Sequence, residues 1–196
     1  MKTKGEKTRE FIIAQSAALL NKKGMAGTSI SDIMEATKLA KGGIYGNFEN
    51  KEEICGAVFD YLMERLNARI EGRLADKATN KEKLLAILDH YNDVTFISNA
   101  GGCPMLNFGT ESDDTDPVMK EKVAGAIKAS QARIARLVSA GIAAGEFVDT
   151  VHPQTFAVKM FTMFEGAVLV SKVFDNNSQM KIIIKLLKEE IESFSL

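Results

Sequence analysis

Apolar residues along the chain recur at the spacing of α-helices, and no segment alternates in the manner of a β-strand. Near the N-terminus, residues 8–23 carry apolar side chains at helical spacing, and Gly24 stands where a helix terminator belongs. Ile30, Ile33 and Met34 then show the i, i+3, i+4 spacing of a second, shorter helix with one buried face. Thr28 or Ser29 can cap this helix through a hydroxyl that accepts a hydrogen bond from its first turn.

The segment KGGIYGNF, residues 41–48, predicts a third short helix after a break over residues 37–40. Ile44 and Phe48 are assigned to a small core shared with the second helix. Gly42 and Gly43 cost about 1 kcal/mol each relative to Ala in a helix interior. Their use is therefore expected in a close approach of the backbone to a phosphate or a base edge. Two short helices with this break between them are typical of a helix-turn-helix, and the segment is interpreted as its DNA-reading helix.

The rest of the chain is predicted to be helical as well. Asn50 caps a fourth helix, with Glu53 at the capping-box position. Later helices are expected to begin at Asp116-Pro117, near Pro153, and after Ser178 as a cap. Polar breaks separate these helices at residues 76–80, 98–104, 112–117, 145–153 and 175–178.

The predicted fold class is therefore all-α, in two domains. Residues 1–50 form a three-helix DNA-binding domain, and residues 51–196 form a helical ligand-binding and dimerisation domain. No Pro/Gly/Ser-rich linker separates the two. The fourth helix is therefore expected to pass directly from one domain into the other and to act as a lever.

Charge changes this picture more than overall composition does. Residues 1–52 hold nine Lys or Arg against six Asp or Glu, net +3, and the remainder holds sixteen against twenty, net -4. A basic N-terminal module on an acidic body suits a protein that presents one end to DNA, although a +3 excess alone is also an ordinary surface fluctuation. With 45% hydrophobic residues and no apolar run long enough to cross a bilayer, a cytoplasmic protein is expected.

Residues around the predicted reading helix are the candidates for DNA contact. Lys41, Gly42 and Gly43 would face the major groove, and Tyr45, Asn47 and Lys51 would donate to phosphates. The full set of expected DNA contacts is Thr28, Ser29, Lys38, Lys41, Gly42, Gly43, Tyr45, Asn47 and Lys51. For the lysines a solvated surface position is an equal alternative, and the ring of Tyr45 can instead pack.

The ordered set Thr28, Ile33, Ala36, Gly42, Ile44, Tyr45, Phe48, Lys51 and Glu52 resembles the TetR family of repressors. Family members usually carry a glycine in the turn and a serine before the reading helix. Lys38 and Ala40 hold those places here, and Gly43 stands where a hydroxyl residue is common. The resemblance implies a transcriptional repressor that binds a pseudo-palindromic double-stranded DNA operator as a homodimer and is released by a small-molecule effector.

The resemblance also implies a dimer interface and an effector cavity. Residues 118–144, rich in alanine, and residues 156–173 are expected to pair with their copies in a four-helix bundle. The middle helices are expected to enclose the effector, although the same residues also suit an ordinary helical core. The candidate effector-binding residues are Tyr61, Met63, Tyr91, Phe96, Cys103, Met105, Phe108, Met160 and Phe164.

Cys103, in the segment GGCPMLNFGTES, gives an alternative mechanism. That segment resembles one found in a subset of TetR-type repressors, some relatives of which respond to electrophiles or oxidants through a cysteine. A reactive thiol must be exposed and partly ionised, whereas a free cysteine is more often buried and inert. With two cysteines in the chain, a disulfide framework is not expected.

Other functional classes have less support in the sequence. An enzyme would place Cys103 beside His90 or His152 as nucleophile and base. No metal-ligand spacing, phosphate loop or acid/base pair is recognisable, so no cofactor and no metal are expected. A helical carrier without DNA binding would leave the N-terminal motif without a purpose.

Overall fold

The computed structural model describes residues 2–92 and 101–196 and confirms the all-α class. Phe96 and residues 98–100 of the predicted break at residues 98–104 lie outside the described residues, and the described part of that break ends where the next helix begins at Pro104. The helices of the described part are α1 (Lys4–Lys23), α2 (Ile30–Thr37), α3 (Lys41–Tyr45), α4 (Lys51–Leu74), α5 (Asn80–Tyr91), α6 (Pro104–Ser112), α7 (Pro117–Ala143), α8 (Pro153–Val173) and α9 (Ser178–Ser193). None of them is both long enough and apolar enough to cross a membrane.

Local chemistry sets the ends of α1. The Thr3 hydroxyl accepts from the Glu6 N–H, and the Glu6 carboxylate accepts from the Thr3 N–H. This capping box starts the helix four residues before the predicted residue 8. At the other end, Gly24 has a φ of 81°, which favours glycine, so the helix ends at Lys23 as predicted.

The beginning of α4 follows the predicted chemistry with one difference. Asn50 Oδ1 accepts from the Glu53 N–H at 2.8 Å, as expected of a cap. The Glu53 carboxylate, however, accepts from the N–H of Glu49 at 2.7 Å instead of that of Asn50. The Glu53 side chain therefore also fixes the residues that lead out of α3.

Residues 2–66 and 104–123 form one compact unit, unit 1. The core of unit 1 is made by buried apolar side chains of α1, α2, α3, α4 and α6. Examples are Ile12, Leu20, Ile33, Ile44, Phe48, Ile54, Val58, Phe59 and Phe108. The rings of Phe59 and Phe108 pack with centroids 5.4 Å apart.

The described residues from 67 to 103 and from 124 to 196 form the second compact unit, unit 2. Helix α9 packs against α8 and α5 there. The predicted helix starts at Pro117 and Pro153 are confirmed, whereas Ser178 is the first residue of α9 rather than its cap. Asn177 holds the cap position without a side-chain hydrogen bond, since the Asn176 carboxamide accepts from Ser178 instead.

Candidate DNA-binding surface and effector site

Helix α3 buries one side and exposes the other. Ile44 is fully buried and Phe48, just beyond the helix, is nearly so. Lys41 and Gly42 are exposed, and Tyr45 leaves 41% of its surface open to solvent. The sequence pattern had assigned these inner and outer positions correctly.

Arg9 of α1 holds α3 against the rest of unit 1, a role that the sequence did not reveal. Its guanidinium donates to the Asn47 carbonyl at 2.6 Å and to Glu53 Oε1 at 2.7 Å. It also lies 4.0 Å from the ring centroid of Phe48. The hydrogen bonds from Glu49 and Arg9 lower the pKa of Glu53. The partners of Arg9 are 38 and 44 residues away, so no local pattern marks them.

Four of the predicted DNA contacts are exposed, and within the described residues none of their side chains forms a hydrogen bond. They are Lys38, which follows α2, and Lys41, Gly42 and Tyr45 of α3. We call these four residues together the α3 outer face. Lys41 Nζ lies 5.8 Å from the Tyr45 ring centroid. Gly42 has open space where a Cβ would lie, so backbone can approach another molecule there.

Thr28 and Lys51 have structural partners instead. Thr28 is fully buried, and its hydroxyl donates to the Gly24 carbonyl at 2.7 Å, so it presents no hydroxyl to a phosphate. Lys51 Nζ donates to the carbonyls of Met25 at 2.9 Å and Thr28 at 3.2 Å. Two of its three N–H donors are therefore used inside the protein.

Ser29, Asn47 and Gly43 also serve the local fold. Ser29 caps α2, and Asn47 Nδ2 donates to the Gly43 carbonyl at 2.9 Å. Gly43 is half-buried, and a Cβ placed there would meet the Leu39 side chain at 3.4 Å. These three residues position the helices more directly than they offer free groups to DNA.

Helix α6 explains the unusual GGCPMLNFGTES segment. Asn107 Nδ2 donates to the Asn21 carbonyl at 2.9 Å, at the end of α1. One turn later, Glu111 accepts from the backbone N–H groups of Met25 at 3.0 Å and Ala26 at 2.9 Å. A Cβ at Gly24 would lie 2.1 Å from Glu111 Oε1, so a side chain there would displace the Glu111 carboxylate from these two donors, while the φ of 81° already favours glycine. Asn107 and Glu111, on one face of α6, therefore fix the end of α1 and the turn that leads into α2.

The predicted effector residues fall into both units. Tyr61, Met63, Met105 and Phe108 belong to unit 1, and Tyr91, Cys103, Met160 and Phe164 belong to unit 2. Apart from the half-buried Tyr61, these eight residues are buried. Phe96, the ninth, lies outside the described residues.

Within unit 2 the structure brings Tyr91, Cys103 and Phe164 to one place. The rings of Tyr91 and Phe164 stack with centroids 4.0 Å apart. Cys103 Sγ donates to Oε1 of Glu165 at 3.1 Å. Burial raises the pKa of Glu165 to about 7, and burial together with the nearby Glu165 raises that of Tyr91. Glu165 was missed from the sequence because its neighbours in α8 are apolar and its partner is 62 residues away.

Both cysteines are buried and neither forms a disulfide. Burial raises the pKa of Cys55 to about 11, which keeps its thiol protonated. Cys103 is fully buried with its hydrogen bond to Glu165. That placement does not favour the sensor interpretation, since a reactive thiol needs exposure. Across residues 2–92 and 101–196, no group of His, Cys, Asp and Glu side chains could hold a metal ion.

Apart from Leu196 beyond α9, the large exposed apolar side chains described in unit 2 lie on α8, at its end, and on α9. They are Val158, Leu169, Val173, Phe174, Ile182 and Leu186, each more than 40% exposed. We call this set the α8–α9 surface. Residues 118–144, the alanine-rich part of the predicted interface, fall mainly on α7. Val118 is the large apolar side chain of α7 that is as exposed as the side chains of the α8–α9 surface.

The short α2 and α3, the basic and aromatic outer face of α3, and the helical body define a helix-turn-helix transcriptional regulator. Residues 12–58 match the family described as bacterial regulatory proteins, tetR family, and residues 81–187 match the tetracyclin repressor-like C-terminal domain. The chain belongs to the TetR family. TetR-family regulators are transcription factors and not enzymes, which sets aside the nucleophile-and-base alternative.

Solved structures and relatives agree with this assignment. A TetR-family regulator from Cytophaga hutchinsonii is 34% identical with a TM-score of 0.94, covering 100% of this chain and 98% of that one. One from Chloroflexus aurantiacus is 38% identical with a TM-score of 0.92, covering 98% of each chain. An HTH-type transcriptional regulator in the lacX 3' region of Lactococcus lactis is 29% identical over 94% of this chain and 93% of its own length.

Proposed function

We propose that this regulator is a repressor that binds a pseudo-palindromic operator as a homodimer and leaves it when a small effector binds. Residues 1–50 would form the DNA-binding domain, and residues 51–196 the effector-binding and dimerisation domain. The observation that carries the proposal is the α3 outer face, whose cationic and aromatic groups are exposed and have no hydrogen bonds within the described residues. Such a regulator works where the chromosome lies, in the cytoplasm.

The α3 outer face supports a division of labour at the operator. Lys41 and Gly42, at the start of α3, would enter the major groove, and Lys38 and Tyr45 would hold phosphates on either side. Lys51 keeps one N–H that can serve a phosphate while the other two hold the turn before α2.

A gel-shift titration on DNA flanking the protein's own gene, at two salt concentrations, tests this proposal. Lys41→Ala should weaken binding across sequences and lower the salt slope by about 1, because one phosphate-neutralising charge is lost. Tyr45→Ala should weaken binding with less change in the slope. The matched control is Lys128→Ala, which removes an exposed lysine of α7 far along the chain from α3. Equal binding by all four proteins, or no specific binding by the unaltered one, would overturn the proposal.

The α8–α9 surface supports the homodimer. Val158, Leu169 and Val173 follow one another at helical spacing on the exposed side of α8, with Gly166 opening space between them. Ile182 and Leu186 add a second exposed stripe one turn apart on α9. Contiguous exposed apolar surface of this kind marks an interface, and a two-fold dimer would present two reading helices about 34 Å apart.

Light scattering after size exclusion tests the interface. The double variant Leu169→Asp, Ile182→Asp should convert a dimer into a monomer at micromolar concentration. Val118→Asp, on α7, should leave the dimer intact because Val118 lies outside the α8–α9 surface. A dimer that survives the double variant but dissociates with Val118→Asp would favour the α7 interface instead.

Effector release needs a coupling between the body and the reading helices. Helix α4 runs directly from the residues after α3 into the body, and α6 holds the turn before α2 through Glu111. A coupling of about 1 to 3 kcal/mol would lower operator affinity about 5- to 150-fold. Glu111→Gln should reduce that coupling, measured as the ratio of effector affinities with and without operator. A ratio of one in the unaltered protein would refute the release mechanism.

A further inference from the structure

Glu165 is a carboxylate in the middle of a largely apolar helix. The residue is 8% exposed, and α8 buries Phe161, Phe164 and Val168 around it. Its Oε1 accepts from Cys103 Sγ, but its Oε2 is buried and has no hydrogen-bond partner within the described residues. Leaving a buried carboxylate oxygen without a hydrogen-bond partner costs free energy, so we expect a bound group to donate a hydrogen bond to it.

The surroundings of Glu165 are fixed by several elements of unit 2. Lys172, two turns further along α8, donates to the Gly101 carbonyl, so the Gly101–Cys103 segment is tied to α8 at two points. Tyr91, close enough for Glu165 to raise its pKa, presents a ring stacked on Phe164. The hydroxyl of Ser171, in the last turn of α8, is also buried without a hydrogen-bond partner within the described residues. A buried carboxylate oxygen and a stacked aromatic pair therefore lie in the same part of unit 2.

We propose that Glu165 recognises the effector and that the effector is a protonated amine on an apolar, preferably aromatic, body. The amine would donate an N–H to Glu165 Oε2, and its body would pack against the Tyr91–Phe164 ring pair. This inference rests on the proposed function, because it names the effector class of the regulator. It assigns the polar contact to a residue that no sequence motif marks.

The chemistry of the site selects an amine over other ligands. An anionic effector would meet the carboxylate with the same charge, at short range and with little solvent screening. A metal ion would need several oxygen, nitrogen or sulfur ligands, and no such group exists among the described residues. An amine needs one carboxylate and gains from the ring faces, which attract cations.

The pH dependence follows from the same contact. Burial holds the Glu165 carboxyl partly protonated near neutral pH, whereas the amine needs the carboxylate. The titratable groups of this cluster are Cys103, which donates to Glu165, and Tyr91, which is acted on by Glu165 and by Arg133 of α7 and has the His90 ring beside it. Lys172 lies two turns further along α8, on the Gly101 carbonyl. Amine binding should therefore tighten about tenfold from pH 6 to pH 8, because the ionised fraction of Glu165 rises over that range.

The test uses 4-phenylbutylamine, 4-phenylbutan-1-ol and 4-phenylbutanoate as probes, with titration calorimetry on the full chain. The amine should bind at least tenfold more tightly than the alcohol, and the carboxylate should not bind detectably. Glu165→Gln, which keeps the side-chain shape, should abolish the preference for the amine and its pH dependence. Glu192→Gln, an exposed carboxylate on α9, is the matched control and should change neither.

Equal binding of amine and alcohol by the unaltered protein, or an unchanged amine preference in Glu165→Gln, would overturn the inference. If Glu165→Gln does not fold, the ranking of the three probes on the unaltered protein decides alone. Operator binding is scored separately by gel shift. A protein that prefers the amine but binds no operator would contradict the proposed function and support the amine effector. A protein that binds the operator but shows no preference for the amine would contradict the amine effector and leave the proposed function supported.

Discussion

Helices α2 and α3 lie next to each other in the chain, yet different forces stabilise them. Ser29 and Asp32 cap α2 reciprocally: Ser29 Oγ accepts from the Asp32 N–H at 3.1 Å, and Asp32 Oδ2 accepts from the Ser29 N–H at 2.8 Å. The N-cap position of α3 is Ala40, whose methyl group can accept no hydrogen bond. Helix α3 is five residues long and contains two glycines, so it is unstable in isolation.

Helix α3 therefore depends on tertiary packing, whereas α2 is stabilised by its own capping residues. Ile44 is fully buried, and Phe48 lies under the Arg9 guanidinium, which also donates to the Asn47 carbonyl from 38 residues away. Because these contacts lie on the buried side of α3, its exposed side remains available for DNA. The absence of local caps leaves its position sensitive to the core beneath it.

Removing the tertiary support of α3 should have the largest effect. Ile44→Ala should lower the free energy of unfolding by about 2 to 5 kcal/mol, because it leaves a cavity in the core of unit 1. Operator affinity should fall in parallel, since α3 loses its anchor. Urea unfolding followed by circular dichroism measures the first effect. Tyr45→Ala is the control, since it should change stability little while still weakening operator binding. Equal stability losses in the two variants would contradict the comparison.

Exchanging the caps should have smaller effects of opposite sign. Ser29→Ala should destabilise by about 1 kcal/mol, because the Asp32 N–H in the first turn of α2 loses its acceptor. Ala40→Ser should stabilise by about 0.5 to 1 kcal/mol, because Ala40 already has the extended backbone of a cap residue, with φ -69° and ψ 160°. The same unfolding curves measure both. If Ala40→Ser destabilises, then the packing of α3 leaves no room for a local cap.

The turn between the two helices gives a smaller effect still. Lys38 has a left-handed φ of 58°, which costs a non-glycine residue about 1 to 2 kcal/mol. Lys38→Gly removes that strain but adds freedom to the unfolded chain, so it should stabilise by about 0.5 kcal/mol. Operator affinity should nevertheless fall with the lost charge. Lys38→Ala keeps the strain and loses the charge, so it should share only the binding defect.

The smallest effect concerns pH. The Lys23 ammonium and the Ser29 hydroxyl and N–H hold the pKa of Asp32 well below its ordinary value. Because the folded pKa is lower than the unfolded one, the contribution of Asp32 is present above about pH 4 and is lost as the pH falls further. The stability gap between the unaltered protein and Asp32→Asn should therefore close on acidification. A gap that stays constant from pH 7 to pH 3 would show that the Asp32 charge adds nothing to the cap.

The sequence predicted the features whose causes are local. Gly24 ends α1, Asn50 caps α4, and Pro117 starts α7 with Asp116 accepting from the Met119 N–H. It also predicted the inner and outer positions of α3, because the helical period fixes which residues share a face. The start of α1 was predicted too late, since the weak apolar pattern before residue 8 hid the Thr3–Glu6 capping box.

Other features depended on partners far along the chain. Lys51 was predicted to touch DNA, but its ammonium group donates to the carbonyls of Met25 and Thr28, 26 and 23 residues away. Glu111 is one polar residue among many until its two backbone donors are known. The exposure of the α8–α9 surface also depends on tertiary packing, because helical spacing does not show which of two apolar faces is buried in the monomer.

The helices, their order and the helix-turn-helix can be predicted from the sequence, because caps, glycines, prolines and the apolar period act over a few residues. The tertiary structure alone decided which polar groups remain free. It engaged two of the three N–H donors of Lys51 inside unit 1, left Lys38, Lys41 and Tyr45 exposed, and buried Glu165 with one carboxylate oxygen unsatisfied within the described residues. The reason is that a hydrogen bond between distant residues forms only when packing brings donor and acceptor within about 3 Å, and no local pattern records that distance.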